Sequence, residues 1–529
     1  MKILNNSLRH LAIAASFALA LFITACEDHR VPPTQQTLPD RIFYALSDNN
    51  QIHEINVRNT STPIRTITVE GLVGGDVLAG IDFRPATGQL YAISTSSNLY
   101  HINIKSGDQS GKATRVGASP IATALNGGSI GFDFNPTVDK IRVVTTTGQN
   151  LRVHPETGAV VANDGPLNGP ASPKVGAVAY TNSRAGVTAA PAGAGTTLYD
   201  IDAEANVLYT QNPPNAGTLV PVGPLGLDIT EVGGFDISPD VNAADVYPIA
   251  SVKFDGKWEL DFVNLATGEL QKLGDLPAGV NITGIAIPSM PVAYALDGSN
   301  NLKIFNPTNG AEYGTKAISI PGVTLEGIDI RPVNGKLYAL GGNSKIYGID
   351  LGSGVATEIA GLADAMGNAI TLSGTRFGVD FNPVADRLRV VSDNGQNLRI
   401  NVENGVTIVD GALLLGAATP SITAVAYTNS YPGVTAATGT TLYDIDSQSN
   451  TIHVQTPPNA GTLQPGKPLG VDVDAAIGFD IGNFTGTGYA IFTVGGSTGF
   501  YTVDVATGAT QLKYAFSTPV KGLATGFGL

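Results

Sequence analysis

The chain has 529 residues, 43% of them hydrophobic and only 14% charged, so it can bury large cores and form more than one domain, and it lacks the low-hydrophobicity, high-charge signature of disorder. Its net charge of -14 and the absence of any Lys/Arg cluster disfavour nucleic acid and an anionic membrane surface as electrostatic partners. With one cysteine, a disulfide framework is impossible.

Lys2 and Arg9 precede an apolar run, Leu11–Ile23, that is shorter than the roughly 20 residues a membrane-spanning helix needs and reads as a signal peptide over residues 1–25. Small residues lead into Cys26, an arrangement that resembles the lipobox of bacterial lipoproteins, whose cysteine is acylated and becomes the new first residue. Cys26 is therefore the expected lipidation site. Removal of the leader takes its two positive charges with it and leaves -16. Residues 26–40 read as a polar, Pro-containing tether. The implied location is the cell envelope, anchored to a bacterial membrane through lipid and facing the periplasm or the exterior.

From Arg41 onward, runs of four to eight apolar or alternating residues are punctuated by Gly, Asn, Asp and Pro, the signature of short strands and tight turns. Only the stretch 360–370 suggests even one helical turn. The runs group into modules of roughly 40–50 residues, each opened by a Gly-containing strand. The openers are AGIDFRP (79–85), IGFDFNP (130–136), VGAVAYTN (175–182), VGGFDIS (232–238) and TGIAIPS (283–289), then EGIDIRP (326–332), FGVDFNP (377–383), TAVAYTN (423–429), IGFDIGN (477–483) and KGLATGFGL (521–529). Four antiparallel strands per module, repeated about an axis, predict an all-β fold of the β-propeller type.

The second half repeats the first. Residues 131–155 (GFDFNPTVDKIRVVTTTGQNLRVHP) match 378–402 (GVDFNPVADRLRVVSDNGQNLRINV) at an offset of 247, and the VAYTNS, TTLYDID and PPNAGTL blocks recur. The expected domains are a first propeller repeat at 41–290 and a second at 291–529, about five blades each. RIFYALS at 41–47 looks like a second strand without its opener, and KGLATGFGL is an opener with no blade after it. Their pairing would close one ten-bladed ring, whereas TGIAIPS and KGLATGFGL closing their own halves would give two five-bladed rings. Both remain open at this level.

The FDFNP, D-[KR]-[IL]-R-V-V, GQNLR, AVAYTN and TTLYDID motifs resemble an uncharacterised bacterial family, domain of unknown function 4394, with two copies covering nearly all of residues 41–529. The resemblance implies secreted or surface proteins and brings no known reaction.

Three sets of residues carry possible chemistry. Asp82, Asp133 and Asp236, with Asp329, Asp380 and Asp480, follow Gly-x in the openers and would face a central channel, where carboxylates process glycans or ligate calcium in other propellers. The plainer reading is that each caps a neighbouring turn. Asn150 and Arg152, beside Arg142, recur as Asn397 and Arg399, beside Arg389. They offer amide and guanidinium donors for sugar hydroxyls or a carboxylate, unless the arginines pair with acids such as Asp139 or Asp386. Asp200 and Asp202, repeated as Asp444 and Asp446, lie on one strand face and are expected in solvent. Outside the leader and tether, the four histidines do not recur between halves, which disfavours zinc, and there is no G-x-S-x-G elbow, P-loop or dinucleotide fingerprint.

Because both copies keep the same polar residues, the pattern favours a framework over a catalytic centre. The expected function is a lipid-anchored, extracytoplasmic, non-catalytic binding or interaction scaffold with a protein or glycan ligand. It needs no cofactor, with calcium as the cation the acids would admit. The alternative is a surface glycan-binding or glycan-processing protein that uses the central aspartates.

Overall fold

The computed structural model describes residues 38–190, 193–240, 242 and 245–529. The leader, Cys26 and most of the tether lie outside the described residues. The remainder is ten four-stranded antiparallel sheets. Among the described residues the helical segments are two short 3-10 turns, Pro214–Ala216 and its repeat Pro458–Ala460. The segment 360–370 holds turn and bridge structure and no helix.

The sheets close into two five-bladed rings. Ile42–Ser47 pairs with Ile282–Ala286, and Ala293–Asp297 pairs with Val520–Thr525, so each half supplies the innermost strand of its own first blade from its own carboxyl end. In the first ring the innermost strands Ile282–Ala286, Leu78–Phe83, Ile130–Asn135, Val175–Tyr180 and Glu231–Ile237 pack in succession and back onto one another. In the second ring the same circuit runs through Val520–Thr525, Leu325–Arg331, Phe377–Asn382, Ile422–Tyr427 and Ala475–Ile481. A single ten-bladed ring is thereby excluded.

Burial falls from axis to rim. Every residue of Val175–Tyr180 is buried, whereas the rim strand Thr510–Ala515 has no buried residue. Apolar side chains fill the space between blades, as where Tyr91 and Ile93 of one sheet meet Phe132, Phe134 and Val143 of the next. Burying a side chain such as Phe134 fully contributes about 1.5–3 kcal/mol.

The Gly-x-Asp pattern of the openers has a steric cause. The innermost strands approach so closely that a Cβ on Gly234 would lie 2.4 Å from the Ile285 amide nitrogen. The Asn-Pro turn that follows is set by Asn135, whose Oδ1 accepts from the Thr137 amide at 2.9 Å, and it ends with Asp139 at φ 51°. Asn382 and Asp386 repeat both features.

The two rings are in contact. Tyr294 Oη donates to Ala86 O at 2.6 Å, the Phe527 amide donates to Thr87 O at 2.7 Å, and Lys140 pairs with Asp350 at 3.3 Å. Ala86 and Ala185 of the first ring are part of a core otherwise built by the second.

Candidate functional site

The alternation of each innermost strand points one aspartate toward the axis at the same level in three of five blades, and alanines occupy the other two: Ala179 and Ala286 in the first ring, Ala426 and Ala524 in the second. Asp82, Asp133 and Asp236 thus meet, each with a carboxylate oxygen within 4.8 Å of the others; Asp329, Asp380 and Asp480 form the same triad in the second ring. All six are buried.

Their hydrogen bonds run between blades. Asp82 accepts from its own strand's Phe83 amide at 2.7 Å and from Phe134 in the next blade at 2.8 Å. Asp133 accepts from Tyr180 at 3.2 Å, and Asp236 from Ile237 at 2.6 Å and Ile287 at 2.5 Å. Asp329 accepts from Ile330 and Phe381, Asp380 from Tyr427, and Asp480 from Ile481 and from Thr525 through both its amide and its hydroxyl. The partner amides therefore belong to innermost strands or, for Ile287, to the residue directly after one, and not to the Asn-Pro or Arg-Pro turns that the sequence suggested. Each carboxylate stitches one blade to the next.

Burial and the proximity of like charges set the protonation of these triads. Burial is the main cause that holds all six well above the usual carboxylate range. The negative charge of Asp236 adds to the effect at Asp82, and that of Asp480 adds to it at Asp329. Asp236 is pushed up to about 7 and Asp480 to about 6, with their backbone donors opposing the rise. Three carboxylates at this separation need a shared proton or a cation. A calcium ion takes six to eight oxygen ligands, and both oxygens of Asp82, Asp236, Asp329 and Asp480 already accept backbone amides. The donor set fits protons better than calcium.

The second set of sequence candidates lies between the third and fourth blades of each ring. Arg142 is fully buried and donates to Asn150 Oδ1 at 2.6 Å, Asp164 at 2.7 Å, Asn215 at 2.8 Å and Tyr180 Oη at 3.2 Å. Asn150 Nδ2 donates to the carbonyls of Gly165 and Pro214. Arg152 grips Asp164 with two bonds at 2.8 and 2.9 Å. Arg389, Asn397, Asp410, Asn459 and Arg399 reproduce the network. The acid that pairs with Arg152 is thus Asp164, not Asp139, because the third strand of the blade runs beside the fourth and away from the Asn-Pro turn. Asp139 instead binds Arg84, a residue the motif reading passed over. Arg84 is fully buried, donates to Asp139 through Nε at 2.8 Å and through Nη2, reaches Glu156 at 3.2 Å, and crosses to the second ring at Gly335 O, 2.9 Å away.

Asp200, Asp202, Asp444 and Asp446 are buried, which corrects their expected exposure. Alternation places them on one face, but that face packs on the preceding blade. Asp202 and Asp446 cap the turns that follow them, accepting from Glu204 and Gln448. The carboxylates of Asp200 and Asp444 have no hydrogen-bond partner among the described residues, and burial raises both well above the ordinary range despite the arginine beside each.

The fold and these paired interiors define a tandem five-bladed β-propeller whose repeated polar residues are internal. The family model described as Domain of unknown function (DUF4394) matches residues 43–286 and 301–524, and the chain belongs to that family. No curated protein matches. A crystal structure of a protein from Lactobacillus plantarum is similar at 15% identity, covering 64% of this chain and 97% of that one with a TM-score of 0.26.

Proposed function

We propose that the chain is a lipid-anchored, extracytoplasmic binding scaffold of the bacterial cell envelope, without catalysis. The observation that carries this reading is the burial of all six channel aspartates, each bonded to the backbone of innermost strands. A carboxylate held in this way is not presented to a glycan, whereas a glycosidase pair flanks the scissile bond with its carboxyl groups about 5–9.5 Å apart. The duplicated Asn-Arg networks are likewise satisfied within the chain, the arginines by Asp164 and Asp410 and the asparagines by backbone carbonyls. What remains for recognition is the surface the rings present, where propellers carry their variable loops.

The anchor is tested by labelling cells with a radioactive fatty acid. Label is expected on the wild-type chain and absent from Cys26→Ser, which should leave the membrane fraction; label retained on the variant would refute acylation there. Catalysis is tested by incubating the intact chain with aryl glycosides and lactones. No turnover is expected, and turnover abolished by Asp133→Asn would restore the glycan-processing alternative.

A further inference from the structure

A pocket of about 440 Å³ opens on the last blade of the first ring, between the hairpin that joins Pro248–Phe254 to Lys257–Val263 and the connection 276–281. Its volume falls in the range of small-ligand sites, about 300–1,000 Å³.

The floor is apolar. Trp258, the only tryptophan of the chain, and Leu276 belong to the core beneath and are 8% and 4% exposed, and Pro277 and Val280 continue the wall. The indole is held from two directions. Its Nε1 donates to Asn281 Oδ1 at 3.4 Å, and Lys253 Nζ lies 5.6 Å from the ring centroid. Such a floor favours a ligand with an apolar body.

The rim is cationic. Lys253 pairs with Glu231 at 2.8 Å and keeps two of its three ammonium hydrogens. Lys257 is exposed and has no acidic partner among the described residues. Asp275, the one carboxylate that lines the pocket, is engaged by Lys272 at 2.8 Å. A cation would therefore meet two ammonium groups and no spare acid. Asn281 Nδ2 donates to Asp48 at 2.9 Å and keeps a second hydrogen. Unused donors, one of them an unpaired positive charge, thus stand around an apolar floor. A carboxylate accepts from such a set, and its bond to an ammonium is of the strong, charge-assisted kind.

The duplication sharpens the assignment. Where the first ring has Lys253, Lys257 and Trp258, the second has Thr493, Ser497 and Thr498, and the connection is shortened to 516–519. Framework residues repeat in this chain, and the pocket residues do not.

We propose that this pocket binds one small carboxylate with an apolar frame per chain, the frame against Trp258, Leu276 and Val280 and the carboxylate on Lys257 and Asn281. This inference rests on the binding-scaffold reading and names its ligand class.

The test uses the fluorescence of Trp258, which reports from the pocket alone. The intact chain, in a non-ionic detergent, is titrated with benzoate, phenylacetate and hexanoate, and with uncharged phenylacetamide as the control. A saturable change in emission is expected with at least one carboxylate. Binding should weaken about tenfold in Lys257→Gln, and phenylacetamide should bind at least tenfold more weakly than phenylacetate. Lys257 is exposed, so its replacement should leave the melting temperature unchanged, which separates lost binding from lost folding. Equal binding of the amide, or affinity indifferent to Lys257→Gln, would overturn the recognition of charge. No change in emission with any of the three carboxylates would overturn the ligand class while leaving the scaffold reading, which stands on the closed aspartates. Consumption of a bound carboxylate, lost in Lys257→Gln, would support the pocket and refute the non-catalytic reading.

Discussion

At the scale of single residues, the triads couple stability to pH. Unfolded aspartates ionise at about 3.9, whereas burial pushes Asp236 up to about 7 and Asp480 up to about 6. Between those values the folded chain keeps protons that the unfolded chain has released. Their contribution to stability is therefore greatest at and below about pH 4 and declines as pH rises toward 7. Asp236→Asn cannot ionise, so the melting temperature of that variant should fall less steeply between pH 5 and 8 than that of the wild type. At pH 5 it should be less stable by about 1–3 kcal/mol, because a carboxamide has one oxygen for the two amides of Ile237 and Ile287. An unchanged slope in scanning calorimetry would move the titration to other groups. Calcium, if it occupied a triad, would compete with these protons. Its stabilisation would then grow with pH, and a melting temperature indifferent to calcium and chelator at pH 8 would exclude it.

The duplication allows an internal control at the scale of elements. Arg84 and Arg331 follow the same opener strand and grip equivalent acids, but in different surroundings. Asp139 and Glu156 are 7% and 5% exposed at the side chain, whereas Asp386 and Glu403 are 34% and 67% exposed. Removing one partner of a buried pair costs about 3–5 kcal/mol, because the other charge is left without solvent, whereas exposed pairs contribute about 0–1 kcal/mol. Arg84→Ala should therefore destabilise the chain several-fold more than Arg331→Ala in urea unfolding, and equal losses would show that the clamp is not an electrostatic one. Strand character and blade grouping were legible in the sequence because alternation and turn residues are local signals. The partners of Asp82, Arg152 and Asp139 were not. Each lies in a neighbouring blade or strand, at a distance along the chain that no local pattern records.

At the scale of the whole molecule, ring closure was legible but ring number was not, because the opener TGIAIPS serves equally well to close one ring or to continue into the next. The pairing of Ile42–Ser47 with Ile282–Ala286 decides it. Each ring thus depends on a closing strand from its own half, and loss of one closure should spare the other ring. Deleting residues 520–529 removes the innermost strand of the blade Ala293–Ala317, together with Val520, Leu523 and Leu529 from a core that also holds Ile491 and Phe500. The exposed edge of Ala293–Asp297 and the emptied core leave the second ring without the contacts that outweigh its chain entropy. The first ring loses only inter-ring contacts, such as the Phe527 amide on Thr87 O, and keeps its closing strand. Limited proteolysis of this deletion should therefore degrade the second half and leave a resistant fragment spanning about residues 41–290, in keeping with the rings as separate packed units. Degradation of the whole chain at one rate would show instead that the inter-ring contacts, and not the closing strands, hold each ring shut.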